Sequence, residues 1–254
     1  GGIILDRYSD ATLDTCNITN NSAADDGGGL EADRYSSVTL TGCVVENNYA
    51  ADDAGGVHAE DNSISNLINC TISGNTSADD GGGLSVEYTS EATLTGCDLV
   101  NNVSGWDGGG LSLDVNSTAA LDNCTVTGNS AADTGGGVEA DTDSRMTLND
   151  CNISGNVSSN DAGGVSVDTR SEIVLYNCEV IGNSSGANGG GISVRDTSAA
   201  TLTDCIVTDN ASYYDGGGLS NLNSDVTLVR TTFSANTSDD DGGAISSTGT
   251  LNSV

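Results

Sequence analysis

The sequence predicts an all-β solenoid, a single-stranded parallel β-helix of about nine coils of 27 residues. Three observations carry this. A cysteine recurs at Cys16, Cys43, Cys70, Cys97, Cys124, Cys151, Cys178 and Cys205, always 27 residues apart. Apolar residues keep fixed places around it, two apart with polar residues between, the alternation of a pleated strand. A glycine pair or triplet closes each unit. A constant period over nearly the whole chain marks units that stack because none can bury its apolar face alone. The ninth unit places Thr231 where the cysteine would stand, after an interval of 26. Residues 1–254 therefore read as one repeat domain. It is expected to be a segment of a longer array or a processed precursor, because Gly1 and Gly2 align with the second and third glycines of later units.

Each element can be located by counting from the cysteine. Leucine stands three before it in all nine units, from Leu13 and Leu40 to Leu228. Two after it come Ile18, Val45, Ile72, Leu99, Val126, Ile153, Val180, Val207 and Phe233, and fourteen after it Leu30, Val57, Leu84, Leu111, Val138, Val165, Ile192, Leu219 and Ile245. These define three short strands per coil, as in Gly83-Leu84-Ser85-Val86, Ala92-Thr93-Leu94 and Cys97-Asp98-Leu99. Gly, Asp, Asn and Ser fill the turns between them, each for its own conformational reason. At about 4.8 Å per coil, nine coils make a rod roughly 45 Å long. A leucine-rich repeat shares the Leu94-x-x-Cys97-x-Leu99-x-x-Asn102 pattern. It needs an apolar residue two after the asparagine and a closing helix, where this chain has Ala23, Ala50, Ser77, Ser104 and Ala131 followed by glycines. Glycine costs about 1 kcal/mol per helical position, which favours the β-helix.

Composition narrows the function. Acidic residues number 37 against 6 basic ones, a formal net charge of −31. Nucleic acid and anionic membrane surfaces would both be repelled. With 35 glycines, no proline, seven tyrosines, one tryptophan and one phenylalanine, the core must come from aliphatic side chains and cysteine. No apolar run approaches the length of a membrane span, and no signal peptide is visible.

The cysteines read as a stacked thiol ladder in which cysteine acts as a small apolar filler. The alternative is disulfides between neighbouring coils, whose Cα atoms at about 4.8 Å are within range while the stacked Cβ atoms are farther apart than a disulfide prefers. One cysteine per coil makes a line and not a tetrahedral metal site. Asparagines five after the cysteine, from Asn21 to Asn236, and serines seven before it, from Ser9 to Ser224, read as structural ladders. Sequons at Asn17, Asn69, Asn123 and Asn152 are candidates for glycosylation; those at Asn75, Asn102 and Asn210 fall on the asparagine ladder.

Two acidic rows are the candidate metal ligands. Ten after the cysteine lie Asp26, Asp53, Asp80, Asp107, Asp161, Asp215 and Asp241, the residues assigned here as metal-binding. Ten before it lie Asp6, Asp33, Glu60, Glu87, Asp114, Asp141 and Asp168. Like charges stacked at this spacing repel by about 1 kcal/mol per pair even in water. Calcium, held by carboxylates and the carbonyls of the glycine turn, would offset that. So would a saline habitat, where screening is short-ranged.

The last unit, TTFSANTSDDDGGAISSTGTL from Thr231 to Leu251, resembles the FxxN and GGAI repeat pair of the polymorphic outer membrane proteins, and more broadly the right-handed β-helices of microbial surface proteins. The resemblance implies right-handedness, an extracellular or cell-surface location, and an adhesin or passenger role; the unbroken repeat points to a rigid spacer, adhesive stalk or self-stacking filament subunit without catalysis. Self-association end to end or side by side, and cell-surface glycans, are the expected partners. The alternative is a polysaccharide-binding or pectate-lyase-like polysaccharide-cleaving β-helix using a groove lined by Trp106, Tyr213 and nearby acids. Against catalysis, His58 has no counterpart in other units and the six arginines are scattered. An ice-binding Thr-x-Thr face occurs in only three coils, at Thr39/Thr41, Thr93/Thr95 and Thr201/Thr203.

Overall fold

A computed structural model describes residues 1–253 and shows a parallel β-helix. Each coil carries four strands, one more than the alternation predicts; in one coil they are Leu84–Val86, Glu91–Thr95, Asp98–Val100 and Val103–Ser104. The extra strand is only two residues long, too short to show alternation, and its inward residue is a small Ser or Ala. Like strands stack into four parallel sheets of ten, ten, nine and nine strands. Pairing is offset by one period, so Leu94 lies beside Leu67 and Leu121, and Leu99 beside Ile72 and Val126.

Inward residues form one continuous core. Leu84, Val86, Leu94 and Leu99 are fully buried, as are their counterparts in the coils on either side. Truncating one, as in Leu94→Ala, costs about 2–5 kcal/mol because a stacked neighbour cannot collapse into the gap.

The corners are made by left-handed backbone. The corner between the first and second strands uses two such residues, for example Tyr88 at φ 49° and Thr89 at φ 65°. In the 26-residue coil that corner keeps only Asn223 (φ 53°), which locates the missing residue and explains why the stacking continues undisturbed. The glycine triplet is forced by space as well. Gly81 has φ +62°; a Cβ on Gly82 would lie 2.5 Å from the Val103 carbonyl carbon, and one on Gly83 2.5 Å from the Gly110 oxygen.

The polar ladders are closed hydrogen-bond chains. Asn102 Nδ2 donates to Asn129 Oδ1 in the next coil (3.0 Å) and to the Ile72 carbonyl (3.0 Å), while the Asn102 backbone N–H donates to the same Asn129 oxygen (2.9 Å). The pattern runs from Asn21 to Asn236. Each ladder serine receives the preceding serine's backbone N–H on its Oγ, as at Ser63 to Ser90 (3.1 Å). The eight cysteines are free thiols, seven of them buried. Their sulfurs lie near backbone carbonyls, Cys97 Sγ at 3.3 Å from the Leu67 oxygen, and burial pushes the Cys43 thiol up.

Candidate functional site

Over most of its length the first sheet has an outer face that water does not reach. Its middle residue points away from the core, yet His58 is 1% exposed, Ser85 0% and Glu139 3%. The loop after the fourth strand folds back over this face, close enough that a Cβ on Gly81 would sit 2.7 Å from the Ser85 Cβ. The fold-back brings together the two acidic rows that the sequence places on either side of the glycines. They face each other across the middle residue and form one acidic seam along the rod.

Within the seam, one oxygen of each loop carboxylate from Asp26 to Asp215 belongs to the backbone. Asp26 Oδ1 accepts the Asp53 N–H (3.0 Å), Asp53 the Asp80 N–H, Asp80 the Asp107 N–H and Asp107 the Thr134 N–H (each 2.8 Å). Asp161 accepts from Asn188 and Asp215 from Asp241 in the same way. The glycine carbonyls expected as calcium ligands already accept backbone hydrogen bonds, Gly55 from Gly29 and Gly56 from Leu30. Burial disfavours the carboxylate charges: it raises Asp53 to about 7, Asp80 to about 8 and Glu60 to about 7, and pushes Glu139 well above the usual carboxylate range.

Departures from the repeat occur in compensating pairs. Where the loop row has Thr134, the same coil has Glu139 on the sheet, with Thr134 Oγ1 2.6 Å from Glu139 Oε1. Where it has Asn188, the same coil carries Arg195, whose Nη1 is 2.7 Å from Asp161 Oδ2 and whose Nε is 2.6 Å from Asp168 Oδ2. Arg195 thus bridges the two rows. Other arginines also pair across one coil, Arg170 with Asp143 and Arg230 with Asp204 (each 2.6 Å), so their scatter follows the period.

Among the described residues, three-carboxylate or histidine-containing groups gather at one end of the seam. Asp26, His58 and Glu60 each place a ligand atom within 4.8 Å of the others, as do Glu31, Asp33 and Glu60, then Asp25, Asp26 and Asp52, and finally Asp52, Asp53 and Asp79. Asp26 and Asp53 of the predicted metal row belong to these groups; Asp80, Asp107, Asp161, Asp215 and Asp241 do not. His58, which has no counterpart in other units and is set aside as a catalytic candidate on that ground, lies between the two acidic rows.

The expected aromatic groove is not one site. Trp106 lines a shallow recess with Gly105, Ala132 and Asp133. Tyr213 lies four coils further on, about 19 Å along the axis, where its ring meets Tyr214 edge-on at 4.9 Å. A different aromatic pair was missed: Tyr8 and Tyr35 stack at 5.2 Å with planes 8° apart and stay exposed beside Arg7 and Arg34.

Four parallel sheets in one-period register define a repeat protein of the parallel β-helix class. The description "Right handed beta helix region" matches residues 1–138 and 131–253, and the chain belongs to that family. Searches of curated proteins and of solved structures returned no match.

Proposed function

We propose that this chain is a non-catalytic, extracellular or surface-displayed rod acting as a spacer or adhesive stalk. The observation that supports this best is the register, which stays at one repeat from the first coil to the last. A catalytic centre needs residues that differ from their surroundings in a recess a substrate can enter; the charged departures His58, Glu139 and Arg195 lie in the seam, and the exposed aromatic ones are spread over several coils. The likeness of Thr231–Leu251 to polymorphic outer membrane protein repeats favours a surface setting. The exposed Tyr8–Tyr35 stack offers a face on which a sugar ring can pack, which makes cell-surface glycans the adhesive partner. Calcium on the all-carboxylate groups Asp25–Asp26–Asp52 and Asp52–Asp53–Asp79 is part of the same proposal, as a stiffener.

The test combines three measurements on the intact chain. Incubation with uronic-acid and neutral polysaccharides is expected to leave them uncut, and new chain ends would overturn the non-catalytic reading. A glycan array is expected to give signals that Tyr35→Ala removes. Electron microscopy with calcium and after chelation then distinguishes discrete rods from filaments.

A further inference from the structure

Of the seam's groups, the one around His58 differs in kind from an acidic cluster. His58 is 1% exposed, and neither ring nitrogen has a hydrogen-bond partner among the described residues. The nearest carboxylate oxygen recorded for it, Glu87 Oε1, is 3.5 Å from Nε2, an ion-pair distance and not a made hydrogen bond. Asp33, 5% exposed, likewise has an unpartnered buried oxygen, Oδ1. Buried polar atoms are nearly always satisfied, and exceptions call for an explanation such as an ion.

The sequence places these groups on two successive coils. Asp26, Glu31 and Asp33 come from one; His58 and Glu60 come from the next, with His58 directly beside Glu31 in the sheet register. Glu60 belongs both to the group with Asp26 and His58 and to the group with Glu31 and Asp33. Elsewhere in the same seam the space between the rows is filled by a built-in cation, the Arg195 guanidinium. The His58 coil has Glu60 at the position Arg195 occupies in its own coil, so no guanidinium fills the space there.

We infer that Asp26, His58 and Glu60, with Glu31 and Asp33 beside them, form a binding site for one divalent transition-metal ion of the zinc type, which staples two adjacent coils. The imidazole decides the class of ion. Calcium and magnesium take oxygen ligands, whereas zinc and its neighbours accept imidazole nitrogen together with carboxylate. Glu87 Oε1, 3.5 Å from Nε2, is placed to orient the imidazole, and either unpartnered ring nitrogen is free to take the ion.

The experiment is calorimetric titration of the intact, folded chain with zinc and, separately, calcium, for the unmodified protein, His58→Gln and Glu60→Gln, with circular dichroism confirming that each is folded. The expected result is one zinc per chain, weakened at least tenfold by either substitution, with any calcium binding unchanged in His58→Gln. Cobalt in place of zinc is expected to give a spectrum without thiolate charge-transfer bands. No saturable zinc binding overturns the site, as does binding that the folded Glu60→Gln protein retains in full. Thiolate bands would overturn it too, by placing the ion on the cysteine ladder. Should His58→Gln not fold, the Glu60→Gln titration and the cobalt spectrum still decide.

Discussion

Asn129 shows how much one residue can carry in a stack. It donates to Leu99 O and Asn156 Oδ1, and its own Oδ1 accepts both the backbone and side-chain N–H of Asn102. Asn129→Ala removes these bonds and leaves buried donors of Asn102 unpaired, at about 1–3 kcal/mol for each unsatisfied group. The expected loss is about 3 kcal/mol or more, read from the urea midpoint; a loss under 1 kcal/mol would mean that water repairs the ladder. Ala162 gives the opposite case. It holds φ 57° where most coils have glycine, a conformation that costs an L-residue about 1–2 kcal/mol. Part of that is offset by the greater freedom of glycine when unfolded. Ala162→Gly should therefore stabilise by about 0.5–1 kcal/mol in the same measurement, and a destabilised variant would show that the alanine methyl packs usefully.

At the scale of the element, the seam sets the response to pH. Asp80 is raised to about 8 and Glu139 well above its usual range, both by burial. The folded chain thus keeps protons that the unfolded chain releases above about pH 4, and such a group destabilises by about 1.4 kcal/mol per pH unit within that window. Their contribution to stability is full below about pH 4 and is lost as pH rises toward 8, so the melting temperature should fall from pH 5 to pH 8. Glu139→Gln should flatten the slope, and a melting temperature that climbs over this range would refute the account. The cysteine ladder makes a parallel prediction. A thiol reagent should find Cys16, half-buried, well before the seven buried thiols, and all eight once the chain is denatured; fast native reaction of several would mean that coils open. The ladders were legible in the sequence because inward residues repeat with few exceptions, such as Thr231 in the cysteine row. The seam was not. Its two acidic rows are separated along the chain by the glycine turn, and only the fold-back of that turn makes them face each other. The two-residue strands escaped for a related reason, since Ser77 and Ser104 read as turn residues until the register shows them buried. The arginine pairs could have been found by asking for an opposite charge one period away.

For the whole molecule, every contact that matters lies between one coil and the next. Stability then builds up from unit and interface contributions, with no distant part of the chain required. Deleting residues 98–124, one full period, should give a folded rod shorter by about 4.8 Å, with unchanged β circular dichroism and a reduced maximum dimension in solution scattering. Deleting half a period should abolish folding, because every inward residue then meets the wrong neighbour. If both deletions behaved alike, register would not be what holds the rod together.

The backbone hydrogen bonds of all four sheets point along the rod axis, and this gives the molecule a mechanical asymmetry. Traction applied evenly to the faces of two neighbouring coils loads all the bonds between them in parallel, so they yield only together. Traction on a terminal strand loads them one after another and peels a coil away at far lower force. A rod of this design is strong when gripped broadly and weak when pulled by its thread.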